Sequence, residues 1–360
     1  SSNGDGGAVW QNDPVTQIAS LPKVVLHDHL DGGLRPSTVL ALADETGYLG
    51  LPRHDERTLA EWFDQSHSAS LVGYLAAFDQ TVAVMQTPAA LQRVARETVE
   101  DHAADGVVYA EIRFAPSLHL RQGMTRSEVI GSVLSGLAEG EEATGVVARV
   151  IIDAMRHEQD AVEVAAAAVE FAGRGVVGFD LAGPEVGFPA SAHRRALAVA
   201  RNGGLRLTIH AGEADGPAGI ADALDSGAER LGHGVRIVED AVVREGQIVD
   251  LGPIARRVHR DAIPLEICLS SNIHTGAVPV GTRHPAGMLL RAGFNVTLNT
   301  DNRLMSRTSM SREFAFARSD LGFSDDDLRT VTDHAVLAAF CDEPSRRSVV
   351  AAVAARYESI

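Results

Sequence analysis

The chain has 360 residues, 45% of them hydrophobic, which is enough for a sizeable core in one large α/β domain or two smaller ones. Its formal net charge of −16 repels phosphate backbones and argues against a polynucleotide partner, and no apolar run reaches the ~18 residues of a membrane span. Cys268 and Cys341 are too few for a disulfide framework or a CxxC site, so a reducing, cytoplasmic setting is expected.

Residues 1–11 are rich in Gly, Ser and Asn and have neither the basic nor the apolar region of a signal peptide. They read as a flexible segment ahead of a single catalytic domain over 12–360. Apolar, β-rich runs then alternate with helix-like stretches, and strands are expected at 24–29, 107–114, 147–153, 176–181, 205–210, 230–233, 264–268 and 295–300. The stretch 48–105 is too long for a simple loop and helical in pattern, which suggests a lid inserted between strands one and two. Thr87-Pro88 reads as a helix cap with proline at the first helical position. Thr125 with Glu128 reads as a capping box ahead of Val129, Ile130, Val133, Leu134 and Leu137.

Eight strands each followed by a helix is the count of a (β/α)8 TIM barrel, here with further helices at the C-terminus. A doubly wound open sheet is the rival. Strand parity favours the barrel: Arg206, Thr208 and His210 share one face of their strand, while Leu207 and Ile209 point the other way. Thr297, Asn299 and Asp301 oppose Val296 and Leu298 in the same manner. A buried open-sheet strand would be apolar on both faces.

Residues that can act on a metal or its water gather at the expected strand ends. His27 and His29, two apart in an extended strand, point to the same side. Such a pair alone is a weak signal, but His210 and Asp301 end two later strands. Three imidazoles and a carboxylate suit Zn²⁺ and leave room for a water, whose pKa a bound zinc lowers to roughly 7. Glu213 is either a first-turn helix glutamate or a carboxyl able to pass a proton to substrate. His233, between Gly232 and Gly234, reads as a general base or as an orienter of the nucleophile. Surface or packing roles suffice for His54, His67, His102, His119, His157, His193, His259, His274, His284 and His334. Zinc deaminases that use a CxxC pair are excluded by the cysteines. Binuclear sites bridged by a modified lysine are excluded because the only lysine, Lys23, precedes strand one. One zinc per chain is expected.

These residues resemble the adenosine deaminase family of amidohydrolase-like barrels. The likeness runs from Leu21 to about Met310 and rests on Leu21-Pro-Lys-Val-Val-Leu-His-Asp-His-Leu-Asp-Gly, Gly106-Val-Val-Tyr-Ala-Glu-Ile-Arg, Met155-Arg-His, Asp180-Leu-Ala-Gly-Pro-Glu, Ile209-His-Ala-Gly-Glu, Arg230-Leu-Gly-His-Gly and Leu298-Asn-Thr-Asp. It implies hydrolytic deamination of adenosine and 2′-deoxyadenosine by a mononuclear zinc-hydroxide, with a purine nucleoside as the partner molecule. It implies zinc on His27, His29, His210 and Asp301, Glu213 protonating purine N1, and His233 assisting attack at C6. His29, Asp31, Gly183 and Asn302 would line the substrate, with Asp31 on the ribose 5′-hydroxyl and the Gly183 backbone at purine N3. Leu71, Tyr74, Leu75 and Phe78 match a hydrophobic lid stripe, a spacing that plain core packing also produces.

Three positions depart from the family pattern. Asn302 replaces the second of two aspartates, which bears on the N7 contact. Cys268-Leu269-Ser270-Ser271 lacks the usual proline, and Arg307 stands where a small residue is expected at the pocket rim. One rival reading keeps the chemistry and moves it to adenine or another 6-aminopurine derivative. Family members acting on the free base tend to carry Glu where this chain has Asp31, which favours a nucleoside. The other rival is a catalytically silent, zinc-stabilised binding protein, against which the intact Glu213 and His233 weigh.

Overall fold

The structure is a computed structural model that describes residues 18–66, 74 and 77–358. Eight parallel strands form a barrel: β1 (Lys23–His29), β2 (Val107–Phe114), β3 (Val147–Met155), β4 (Val176–Ala182), β5 (Arg206–Ala211) and β6 (Arg230–His233), followed, after an antiparallel hairpin of β7 (Ala241–Arg244) and β8 (Gln247–Leu251), by β9 (Leu265–Ile267) and β10 (Val296–Leu298). Closure runs through Asp28 and Asp301. His29 N–H donates to the Asp301 carbonyl at 2.7 Å, and Asp301 N–H donates to that of His27 at 2.9 Å. Below them the Asn299 side-chain oxygen accepts from Leu26 N–H at 2.8 Å, so the last strand is stitched to the first.

All eight expected barrel strands are present, the last two shorter than expected. The hairpin outside the barrel was not anticipated. Its turn, Glu245-Gly246, has positive φ at both residues (51° and 73°), the geometry of a two-residue type I′ loop. Both expected caps are made. Thr125 Oγ1 accepts from Glu128 N–H at 3.2 Å while Glu128 accepts from Thr125 N–H at 2.7 Å, and Thr87 Oγ1 accepts from Ala90 N–H at 3.2 Å. Between β1 and β2 lie helices Pro36–Thr46, Glu56–Phe63, Phe78–Val84 and Pro88–Ala104, and three helices from Met310 to Glu358 follow β10.

The two strand faces separate two kinds of core. Leu207, Ile209, Ile112, Val25 and Leu231 are fully buried in the hydrophobic core. The barrel interior carries charge: Glu266 accepts from Arg230 Nε at 2.6 Å, Arg113 Nη2 at 2.8 Å and Thr208 Oγ1 at 2.9 Å, and Glu111 accepts from Arg230 Nη2 at 2.6 Å. Arg206, on the His210 face by parity, starts its strand at the barrel floor, where it is exposed and pairs with Glu229 at 2.7 Å. Polar residues fill the interior because two guanidiniums and two carboxylates satisfy one another there, and a buried charge without such a partner costs several kcal/mol.

Lys23 closes the floor. Its ammonium, fully buried, donates to the carbonyls of Leu21 (2.9 Å), Asp105 (2.9 Å) and Ala19 (3.2 Å), tying β1 to the turn before β2. Lys23→Met is expected to lower the unfolding free energy by about 2 kcal/mol, as the carbonyls lose their donor inside the fold. Denaturant unfolding measures the loss, and the activity of the folded fraction should be unchanged.

Candidate active site

The donors converge at the carboxyl ends of the barrel strands. His27 and His29 leave the end of β1, His210 leaves β5, and Asp301 follows β10. One ligand atom from each lies within 4.8 Å of all the others. Each histidine has a carboxylate against Nδ1: Glu266 at 3.0 Å from His27, Asp153 at 3.3 Å from His29 and Asp180 at 2.8 Å from His210. That arrangement turns every Nε2 toward the common point, as in metal sites where an acidic partner orients the imidazole. Nε2 of His27 is buried and makes no hydrogen bond. Three imidazoles, one carboxylate and an orphaned ring nitrogen fit a single divalent ion.

Electrostatics support neutral ligands at two of the three histidines. Burial pushes His210 down to about 3, and burial with the nearby Arg113 charge lowers His27. Burial would depress His29 too, but the hydrogen bond and charge of Asp153, with Asp301, raise it to about 9. Burial likewise opposes ionisation of Glu266 and Asp180. Arg113 and Arg230 nevertheless hold Glu266 well below the usual carboxylate range, and His210 and Arg113 do the same for Asp180. Arg113 bridges these two acids, with Nη1 2.8 Å from Asp180 and Nη2 2.8 Å from Glu266.

The other expected residues face the same chamber, a cavity of about 440 Å³. Glu213 is buried beside His233, with 3.6 Å between Oε2 and Nε2. Burial, then the charges of Asp301 and Glu185, raise its carboxyl to about 7 against the opposing pull of His233. Asp31, in the short turn Leu30–Gly32, lines the chamber and is itself raised by burial. Gly183 sits at φ 89°, and a Cβ there would lie 3.2 Å from both His157 and Met155. Asn302 lines the chamber with its Oδ1 unpartnered, and a Cβ on Gly32 would overlap its amide. Tyr74 and Phe78 line the wall, while Leu71 and Leu75 lie outside the described residues. Arg307 does not line the chamber; it is exposed and pairs with Asp64 at 3.4 Å. Leu269, where the family proline is absent, is fully buried and begins helix Leu269–His274.

Two histidines assigned only surface or packing roles stand nearer the site than expected. His157 lines the chamber, and His102 hydrogen-bonds Asp28 at 3.1 Å, between the two ligands of β1. The orienting acids Asp153, Asp180 and Glu266 were also missed. Their signal was available: each is an acid between two apolar residues of its strand, where a carboxylate must find a partner.

A parallel barrel with this donor set at its carboxyl-end face has the architecture of the metal-dependent amidohydrolases. Residues 22–356 match the family model described as adenosine deaminase. The chain is 50% identical over 340 residues to an adenosine deaminase of Mycobacterium marinum, covering 92% of this chain and 94% of the relative. Among solved structures it is similar to an adenine deaminase from Arthrobacter aurescens (TM-score 0.82, 28% identity, 94% of this chain and 99% of that one). It is also similar to an Arabidopsis N6-mAMP deaminase (TM-score 0.81, 29% identity, 94% and 99%). The protein belongs to the adenosine deaminase family.

Because His29 is raised to about 9 while His27 and His210 are depressed, loading the metal-free protein at pH 7 should release more than one proton, that of His29 and a share of that of the metal-bound water. Affinity should rise with pH toward 9 and fall below neutrality. Titration calorimetry in buffers of different ionisation enthalpy counts the protons; release of fewer than one would contradict this charge assignment.

Proposed function

We propose that this protein hydrolyses adenosine and 2′-deoxyadenosine at C6, giving the inosines and ammonia. The observation that carries the reading is the placement of Glu213 and His233, 3.6 Å apart, beside the His27–His29–His210–Asp301 donor set at one end of a buried chamber that Asp31 also lines. The adenosine deaminases at 50% identity support the choice of substrate.

His27, His29, His210 and Asp301 would hold the metal, zinc in this reading, which when bound would make a water-derived nucleophile available at neutral pH. Glu213, protonated in a substantial fraction at neutrality because its carboxyl is raised to about 7, donates to purine N1 as C6 takes up oxygen, which keeps charge from building on the ring. His233 faces the incoming oxygen. Asp31 accepts from the ribose 5′-hydroxyl, the Gly183 backbone meets N3, and Asn302 donates to N7. The helices between β1 and β2 act as a lid, with Tyr74 and Phe78 against the substrate. The proton on the added oxygen then passes to N6, the C6–N6 bond breaks, the C6 carbonyl forms and ammonia leaves. Free, buried Cys268 and Cys341 support a reducing cytoplasm as the setting.

The test is a comparison of adenosine, 2′-deoxyadenosine, adenine and N6-methyl-AMP as substrates of the zinc-loaded protein. Adenosine should have the highest kcat/KM, and preference for the free base or the nucleotide would overturn the substrate assignment. Glu213→Gln should lower kcat by roughly 10²–10⁴-fold with metal content unchanged. In the parent, kcat/KM should fall on the alkaline side as the donor proton is lost above pH ~7.

Asn302 gives a separate expectation. A carboxyl can donate to the N7 acceptor only when protonated, whereas an amide NH₂ donates at any pH. Asn302→Ala should lower kcat/KM for adenosine by roughly 5- to 150-fold, the equivalent of about 1–3 kcal/mol for an unpaired buried group. 7-Deazaadenosine, which lacks the N7 acceptor, should be poor for the parent and lose little more in the variant. Equal losses on both compounds would assign Asn302 to pocket support.

A further inference from the structure

His233 lies between two possible roles, and its protonation pattern separates them. As a base at Nε2 it needs a lone pair there; as a donor it needs a proton there. The side of the ring facing away from the chamber decides which it has. Asn272, fully buried in helix Leu269–His274, places its amide nitrogen 3.0 Å from His233 Nδ1. The other end of that amide is committed: Asn272 Oδ1 accepts from the backbone N–H of Cys268 at 3.3 Å. A backbone N–H can only donate, so the oxygen must face Cys268 and the NH₂ must face His233. The amide is further held because Asn272 N–H donates to the Cys268 carbonyl at 2.8 Å and its own carbonyl accepts from Val278 N–H at 2.7 Å.

We infer that Asn272 is a positioning residue that sets the tautomer of His233. An NH₂ can only donate to Nδ1, so Nδ1 carries the lone pair and the neutral ring carries its proton on Nε2. Nε2 is the nitrogen that faces Glu213 and the donor cluster. Neutral His233 therefore donates a hydrogen bond to the oxygen arriving at C6 and does not take that oxygen's proton. The ring cannot swing out of this relation easily: His233 has φ 64°, and Gly234 N–H is tied to the Ala211 carbonyl at 2.9 Å. A donor aimed at developing negative charge in a buried site is an effective form of transition-state stabilisation.

The inference rests on the place of His233 in the reaction proposed above, but its test reads the ring directly. The zinc-loaded protein is labelled with ¹⁵N-histidine, and the His233 ring signals are assigned by their absence from His233→Ala. The expected result is an unprotonated Nδ1 and a protonated Nε2 at neutral pH. In Asn272→Ala the tautomer should become mixed, and kcat for adenosine should fall about tenfold with KM within about twofold, the effect of losing one orienting hydrogen bond. Zinc content should be unchanged. A protonated Nδ1 in the parent overturns the inference, as does an Asn272→Ala protein that keeps both the parent tautomer and the parent kcat. If that variant does not fold, the parent spectrum alone decides. If adenosine proves not to be the substrate, the spectrum still tests the tautomer, so the two failures are distinguishable.

Discussion

The site depends on the closure of the barrel between its first and last strands. His27 and His29 come from the beginning of the chain and Asp301 from near its end, and two backbone hydrogen bonds between Asp301 and the His27–His29 segment hold them in register. The same contacts that complete the sheet therefore assemble the donor set. A slip of one residue in either strand would turn the ligands to the opposite face, toward the helices. Asn299 guards against that slip by spending its side-chain oxygen on Leu26 N–H and its amide nitrogen on Thr297 Oγ1 and the Ile267 carbonyl.

Beneath the donors, the barrel solves an electrostatic problem. Three imidazoles must present lone pairs to one point, so each must be oriented from behind by a group that binds its other nitrogen. Asp153, Asp180 and Glu266 do this, but three carboxylates in a dry interior need compensation. Arg113 spans Asp180 and Glu266, and Arg230 spans Glu266 and Glu111. The charged layer that makes the interior look unlike a hydrophobic core is thus the foundation of the ligand geometry. It also explains why Glu213 behaves differently. Glu213 has carboxylate neighbours in Asp301 and Glu185 and no arginine bonded to it, so burial raises it into the range useful for proton donation.

Two left-handed residues with side chains stand at the same place. His233 and Asp301, at the ends of their strands, both adopt left-handed conformations with φ of 64° and 57°. Such conformations cost of order 1 kcal/mol or more for a residue with a side chain and persist where the surroundings over-determine them. For His233 the surroundings are Asn272 and the flanking glycines; for Asp301 they are the β1 backbone and Ser271, whose hydroxyl donates to its carboxylate at 2.5 Å. The turn after β1 shows the complementary constraint. Gly32 has no side chain because the Asn302 amide occupies the space a Cβ would need.

Much of this was legible in the chain itself. Alternation of apolar and polar residues along the expected strands revealed the barrel and which face would point inward, because side-chain direction in a strand is set by sequence parity. His27, His29, His210, Glu213, His233 and Asp301 could be singled out because each lies at or just beyond the end of a strand, and strand ends are where such barrels place chemistry. The hairpin Ala241–Leu251 was not seen, since its strands alternate weakly and face solvent. Pairing was beyond the sequence: that Asp153, Asp180 and Glu266 stand behind particular histidines depends on which strands become neighbours and in what register. Arg307 turning toward Asp64, and Asn272 meeting His233, depend likewise on loops whose paths are set by packing rather than by local pattern. Sequence determined the residue types and their faces through local stereochemistry, and tertiary structure decided their partners because hydrogen bonds and charges act across space.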